Sequence, residues 1–111
     1  MAVRTIIFRG KRIDNGEWVC GFIVKMFGTY HIIDKDDENT AYEVIPETVG
    51  QYAGLKDKNG KRIFENGYMI IDKQTYKVLF DNGEYILKNI FNCDIIQLKN
   101  NSNIGVFVDE I

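Results

Sequence analysis

Apolar residues along the chain come in short runs, and few of them recur at helical spacing. The runs are rich in β-branched and aromatic side chains and are separated by Gly, Asn and Asp, which is the pattern of many short strands. The chain has one proline, Pro46, so little prevents these runs from pairing with each other. We predict one helical turn near 89–92 and nine strands, over residues 3–9, 17–27, 29–34, 41–45, 68–72, 75–81, 84–88, 93–98 and 103–108.

The sequence DNGE at 81–84 predicts a tight hairpin turn. Asn and Gly tolerate the left-handed backbone that such a turn needs, so we take Asn82-Gly83 as a two-residue turn. Asp81 then faces Glu84 across the hairpin. A three-residue turn with a bulge is the alternative, because two opposed carboxylates repel each other. The two-residue turn places a set of apolar residues on one face: Tyr76, Val78, Phe80, Tyr85 and Leu87.

An earlier copy of DNGE predicts a similar turn at Asn15-Gly16, with Ile13 opposite Trp18. The strand that follows, over 18–27, is nearly continuous in apolar residues, and Gly21 within it indicates a bend or a close backbone approach. Short, bent strands around one small core favour an all-β fold. We expect a compact, strongly bent sheet or a partly open small β-barrel, with at most one or two short helical turns.

Length and composition indicate a single globular domain over residues 1–111, since 45% of the residues are hydrophobic and 27% are charged. No run approaches the ~20 apolar residues of a membrane span, and Arg4 and Arg9 break the first apolar run, so a signal peptide is not indicated. We therefore expect a cytoplasmic protein that does not contact a membrane. The net charge of −2 argues against a general nucleic-acid binder.

Charge is segregated along the middle of the chain. Six acids and one lysine lie within 34–47, while four bases and one acid lie within 53–62. Two interpretations stay open, because such segments are either solvated loops or complementary binding surfaces. The candidate acidic surface consists of Asp34, Asp36, Asp37 and Glu38.

Catalytic and metal-binding constellations are not evident. His31 is the only histidine, and its one serine partner for nucleophilic catalysis would be Ser102, so we interpret His31 as a strand residue with an ordinary hydrogen bond. Cys20 and Cys93 lack the spacing of a zinc site, and we favour buried free thiols over the alternative of a disulfide between them. The acids at 34–38 lack the glycine and spacing of a calcium loop, and no nucleotide-phosphate motif occurs. We predict no catalytic residue, cofactor or metal.

One segment is not explained by turn-forming residues alone: VIPETVGQYAGLKDKNGKRIFENGYMIID at 44–72. It resembles the signature of the YopX family, small proteins of bacteriophages and prophages, whose core phrase has the form QYTGLKDKNGKEIYEGDIV. The segments at 8–22 and 76–88 resemble the family's flanking parts, so the likeness covers nearly the whole chain. Where the family reads Glu-Gly-Asp, this chain has Glu65-Asn66-Gly67, and its carboxyl end is reduced. The resemblance implies a strand-rich phage accessory protein that can self-associate, and it implies no reaction.

Three functional hypotheses follow. The first is a phage-encoded, non-enzymatic protein that binds a host protein, nucleic-acid complex or signalling molecule and so counters host defence. The second is a structural protein that forms homo-oligomers when the acidic surface of one copy meets the basic segment of another. The third is a small hydrolase that uses His31. The candidate interaction surface is Tyr52, Lys56, Asp57, Lys58, Lys61 and Arg62, although the same residues would also suit a soluble loop.

Overall fold

A computed structural model describes residues 6–111 of the chain. These residues form eleven β-strands and three single turns of 3-10 helix, at Pro46–Thr48, Leu98–Asn100 and Ser102–Ile104. The strands are β1 Phe8–Lys11, β2 Trp18–Met26, β3 Thr29–Asp34, β4 Ala41–Glu43, β5 Gly50–Lys56, β6 Arg62–Phe64, β7 Tyr68–Ile71, β8 Gln74–Asp81, β9 Glu84–Asn89, β10 Ile95–Gln97 and β11 Val106–Val108. The predicted all-β class is confirmed.

Nearly every predicted strand has a counterpart, with several differences. The strand predicted over 3–9 falls partly outside the described residues, and β1 begins at Phe8. β5 and β6 were not predicted. The described chain has three 3-10 turns where one or two were expected. The segment at 89–92 forms the predicted single helical turn, an α-turn that is closed by the Cys93 N–H and the Asn89 carbonyl oxygen at 3.1 Å and does not continue into a helix.

The described chain divides into two compact units, unit 1 ending at Tyr52 and unit 2 spanning Ala53–Ile111. One sheet has the strand order β4-β3-β2-β1-β5-β6, and the other, within unit 2, has the order β10-β9-β8-β7-β11. Each sheet ends in two edge strands, so neither is closed into a barrel. Of the two forms that were predicted, an open sheet and a partly open barrel, the structure has the open sheet. The single-domain assignment stays a prediction.

The hairpin of β1 and β2 has a longer loop than its sequence indicates. Arg12 donates its N–H to the Glu17 carbonyl at 2.8 Å, and Trp18 faces Lys11, so the predicted pairing of Ile13 with Trp18 is wrong. Local side chains favour the longer loop. Asn15 Oδ1 accepts the Glu17 N–H at 2.9 Å, and a short ion pair of 2.6 Å joins Arg12 to Asp14 across the loop.

Gly21 in β2 confirms the predicted close backbone approach. A Cβ at this position would lie 1.8 Å from the carbonyl oxygen of Ile33 in the neighbouring strand β3. No side chain fits in that space, because real Cβ contacts are at least 3.0 Å. Next to this close approach, Ile32 of β3 is fully buried. It lies in the core of unit 1 together with Val44.

The hairpin of β8 and β9 has the predicted register, with Asp81 opposite Glu84. Both turn residues are left-handed, Asn82 at φ 50° and Gly83 at φ 82°, as a type I′ turn requires. The predicted apolar face is fully buried at its base, where Val78 faces Leu87. At its tip the rings of Phe80 and Tyr85 contact each other in a tilted arrangement, with centroids 4.8 Å apart and planes at 60°, and Phe80 is 52% exposed.

The core of unit 2 is built from residues of both strands and turns: Ile63, Phe64, Met69, Ile71, Val78, Ile86, Leu87, Leu98 and Phe107 are buried.

The two cysteines lie outside the buried cores. Cys93 is an exposed free thiol in the turn after β9, so the predicted burial is wrong for it, and Cys20 is half-buried. Helical structure within residues 6–111 is confined to single turns, none with the length and apolarity needed to cross a bilayer.

Candidate functional site

The basic loop, which we define as Lys56–Arg62, joins β5 to β6 in a tight turn. Asp57 donates its N–H to the Lys61 carbonyl at 2.8 Å, and Gly60 donates its N–H to the Asp57 carbonyl at 3.0 Å. Gly60 adopts a left-handed φ of 82°, which glycine reaches without steric strain. The KDKNGK sequence therefore folds locally into a compact turn.

Asp57 lies beneath this loop and is only 6% exposed. Its Oδ1 accepts the N–H groups of Asn59 and Lys61, each at 2.9 Å. Its Oδ2 accepts the N–H of Phe107 at 2.8 Å, which ties the loop to β11. The sequence placed Asp57 on the candidate interaction surface, whereas in the structure its carboxylate holds the loop from inside.

The environment of Asp57 keeps its carboxylate ionised. Burial by itself disfavours the charged form, but backbone N–H groups of Phe107, Lys61 and Asn59 and the charge of Lys61 stabilise it, and the net effect lowers the pKa of Asp57. Hydrogen bonds to a charged acceptor are stronger than neutral ones. The loop is therefore fixed by three charge-assisted bonds at neutral pH.

Two lysine side chains of the basic loop carry charges that no ion pair balances within the described residues. Lys56 and Lys58 are exposed, and neither makes an ion pair within residues 6–111. The Lys58 backbone is fixed by its N–H, which donates to the Gly105 carbonyl at 3.1 Å. Lys61, by contrast, has its Nζ 3.7 Å from Asp109 Oδ2 and 5.5 Å from the centre of the Phe107 ring.

The remaining members of the predicted surface contribute less area. Arg62 in β6 and Tyr52 in β5 are both half-buried. Tyr52 belongs to unit 1 and the basic loop to unit 2. Of the six predicted residues, Lys56 and Lys58 are thus the best suited to contact an outside molecule.

The four acids of the candidate acidic surface lie at the end of β3 and in the loop before β4, and most of them build that loop. Asp34 Oδ1 accepts the Asp36 N–H at 2.8 Å, and Asp36 pairs with Lys35 at 2.7 Å. Asp37 accepts the Thr40 hydroxyl at 2.5 Å and the Asn39 N–H at 3.1 Å, and these two bonds lower the pKa of Asp37. Glu38 is exposed and makes no such bond. These carboxylates chiefly stabilise their own turn.

His31 lies in β3 as predicted, opposite Val24 on one side and Glu43 on the other. Its Nδ1 is buried and has no hydrogen-bond partner among the described residues, so the expected ordinary hydrogen bond is absent at this atom. Ser102, its one conceivable serine partner, is buried in a 3-10 turn of unit 2. Across residues 6–111, no three His, Cys, Asp or Glu side chains are grouped closely enough to hold a metal ion.

A groove on β8 and β9 was missed by the sequence reasoning. Its volume is about 400 Å³, and it is lined by Lys77, Leu79, Lys88, Asn89, Ile90 and Cys93. The signal for it was present, because the predicted hairpin register already places Lys77 opposite Lys88. The shape of the groove, however, depends on the turn that follows β9.

Comparison with known proteins identifies the family. The sequence profile of the family described as YopX protein matches residues 8–106, which include most of both units. Among curated proteins, no sequence matches the chain. The match covers nearly all of the described residues and agrees with the resemblance of the 44–72 segment, so this chain belongs to the YopX protein family.

Proposed function

We propose that this chain is a non-enzymatic binding protein, encoded by a phage or prophage, that acts in the host cytoplasm. It occupies a host protein, a nucleic-acid complex or a signalling molecule and thereby counters host defence. Phage origin is what the family resemblance implies. The observation that carries the binding role is the buried Asp57 carboxylate, whose three N–H bonds hold a loop with two uncompensated lysines.

Preorganisation makes such a loop suited to binding. Ordering a flexible loop at an interface consumes binding free energy, and a loop already held in one conformation avoids most of that cost. Lys56 and Lys58 then contribute local attraction to an acidic surface. Because the net charge of the chain is −2, this attraction depends on the loop and not on the charge of the whole protein.

The chemistry of the loop indicates the class of partner. Two exposed lysines suit carboxylates or a phosphate on a folded partner surface. They are too few for general binding to nucleic acid, where affinity comes from many phosphate contacts and from stacking on aromatic side chains. We therefore propose an acidic patch of a host protein or complex as the partner.

Charge reversal of the loop tests this function. We expect the Lys56→Glu/Lys58→Glu variant to lose the host component that the wild-type protein captures from a lysate of the host bacterium. An exposed ion pair contributes about 0.2–1 kcal/mol, and reversal also adds repulsion, so two reversals are expected to weaken binding by roughly tenfold or more. Raising the salt concentration should weaken wild-type capture, because exposed charges are screened.

A matched control makes the same charge change elsewhere in unit 2. Lys73 and Lys99 are both exposed, so Lys73→Glu/Lys99→Glu should capture as much as the wild-type protein. Equal capture by the wild-type protein and by the Lys56→Glu/Lys58→Glu variant would refute the proposal and leave the basic loop as a soluble edge.

Self-association is the alternative, with the basic loop of one copy meeting the acidic surface of another. It has less support, because Asp34 and Asp37 are engaged within their own loop. Light scattering on the same variants separates the two functions. Under self-association, Lys56→Glu/Lys58→Glu lowers the solution mass, whereas under partner binding it leaves the mass unchanged.

The hydrolase alternative depends on His31, which we propose has no catalytic role. We expect His31→Gln to leave the effect of the expressed protein on phage growth in its host unchanged, because the Nδ1 atom is buried with no hydrogen-bond partner among the described residues. Circular dichroism confirms that the variant is folded. A folded variant without the effect would establish His31 as functional.

A further inference from the structure

The groove of about 400 Å³ in unit 2 lies on the face of β8 and β9 opposite to the buried Val78 and Leu87. Lys77 and Leu79 of β8 and Lys88 of β9 form part of its lining, and the turn after β9 contributes Ile90 and Cys93. Its volume falls within the roughly 300–1,000 Å³ that is usual for small-molecule sites. The groove is separate in sequence from the basic loop.

Two lysines stand directly opposite each other in this groove. Lys77 faces Lys88 in the β8–β9 register, an arrangement that is unfavourable for like charges in an antiparallel pair. The next residues of the same cross-strand row are Tyr68 beside Lys77 and Ile95 beside Lys88, and neither is acidic. Within the described part of the chain, neither lysine makes an ion pair. The pair therefore carries two positive charges that the protein itself does not balance.

The rest of the groove combines apolar walls with a fixed rim. Leu79 is half-buried and Ile90 is 37% exposed, so both offer apolar surface. Asn89 holds the turn: its Oδ1 accepts the N–H of Phe91 at 2.9 Å and its Nδ2 donates to Gln74 Oε1 at 2.8 Å. A site with convergent charged groups, apolar walls and a rigid rim is typical of small-ligand binding.

We propose that this groove binds a small organic anion. A carboxylate or phosphate of the ligand lies between the ammonium groups of Lys77 and Lys88, and its apolar body packs against Leu79 and Ile90. Binding relieves the repulsion between the two lysines, and the partial burial of Lys77 strengthens its charge-assisted contact with the anion. This site is independent of the proposed role of the basic loop.

Anilinonaphthalene sulfonate is a suitable probe, because it joins an anionic group to an apolar aromatic body and fluoresces when it is bound. We expect saturable binding to the natively folded protein, weakened about tenfold or more in Lys77→Met/Lys88→Met, since methionine keeps the apolar stem and removes the charge. The matched control, Lys73→Met/Lys99→Met, should bind like the wild-type protein, because both lysines are exposed and neither lines the groove. Competition by inorganic phosphate or by acetate then shows which anionic group the lysines prefer.

Cys93 gives a second readout, because its exposed thiol lines the groove. Saturating probe should slow the alkylation of Cys93 by neutral iodoacetamide in the wild-type protein and not in Lys77→Met/Lys88→Met, with Cys20 as the internal reference in mass spectrometry. Three results would overturn the proposal: equal or tighter probe binding by the double variant, no protection of Cys93, or binding to phosphatidylglycerol vesicles without binding to the soluble probe.

Discussion

Replacing Asp57 by alanine is expected to lower the free energy of unfolding by about 2–4 kcal/mol. The change removes one carboxylate that accepts three backbone N–H groups and leaves the Phe107 N–H without its acceptor in a buried position. Leaving a buried donor unsatisfied costs more than an ordinary hydrogen bond contributes. Urea unfolding followed by circular dichroism measures the change through the midpoint.

Asp37→Ala is the matched control for this experiment. Asp37 also accepts two hydrogen bonds, from Thr40 and Asn39, but it is exposed, so water replaces the lost partners. We expect a much smaller shift of the unfolding midpoint. An equal shift for the two variants would show that Asp57 does not hold the loop in the way described.

The same carboxylate predicts a dependence of stability on pH. The pKa of Asp57 is lowered in the folded protein, so its stabilising contribution is present above the unfolded pKa of about 3.9 and is lost as the pH falls through the lower folded value. Asp57→Asn carries no titrating group at this position. We therefore expect its stability to fall less steeply than that of the wild-type protein below about pH 4.

Replacing Gly21 by alanine is expected to destabilise the protein by about 3 kcal/mol or more. The new Cβ would lie 1.8 Å from the carbonyl oxygen of Ile33, a backbone atom that cannot move without shifting β3. Such a shift breaks hydrogen bonds along β2 and β3, the longest pairing in unit 1. Thermal unfolding of the purified variant measures the loss.

Gly28→Ala supplies the comparison, because Gly28 lies in the turn between β2 and β3 with open space around its Cα. No atom lies within 4 Å of a Cβ built there, and only its φ of 82° opposes a side chain. We expect a cost of about 1–2 kcal/mol from the left-handed backbone alone. If Gly21→Ala were no less stable than Gly28→Ala, the close approach of β2 and β3 would be contradicted.

The two DNGE segments show where sequence reasoning succeeds and fails. At 81–84 the turn residues and the period-two pattern of β8 and β9 agree, so the register follows from local sequence alone. At 14–17 the same four residues form part of a longer loop, because Asn15 and Asp14 bond to neighbours outside a two-residue turn. Identical turn sequences can therefore give different loops when the flanking side chains differ.

Strand β5 was missed because its local preferences are weak. It contains Gly50 and Gly54, and glycine disfavours strands. Its pairing with β1, with Gln51 opposite Phe8, joins residues distant in sequence. Such long-range partners stabilise a strand that the local pattern does not indicate.

The candidate site shows the same limit. Charge patterning predicts exposed lysines, and Lys56 and Lys58 are exposed in the structure, while their role in binding stays a prediction. The burial of Asp57 depends on its bond to Phe107, which lies 50 residues away in the sequence. A single sequence offers no signal for a contact of that separation.

In the proposed function, the basic loop binds its partner because Asp57 holds the loop in one conformation. The Asp57→Asn variant distinguishes preorganisation of the loop from attraction by charge alone. The substitution removes the negative charge of the residue that lies between Lys56 and Lys58 in the sequence, so a purely electrostatic mechanism predicts equal or tighter binding. Preorganisation predicts weaker binding, because the amide is a poorer acceptor for three N–H groups and the loop must be ordered on contact.

The decisive measurement is the affinity of Asp57→Asn for the host component that the wild-type protein captures. It is made at a fixed salt concentration and near neutral pH. Circular dichroism under the same conditions verifies that the variant is folded. We expect the affinity to fall about tenfold, although both lysines are still in place. An affinity equal to or higher than that of the wild-type protein would show that Asp57 does not preorganise the loop for binding.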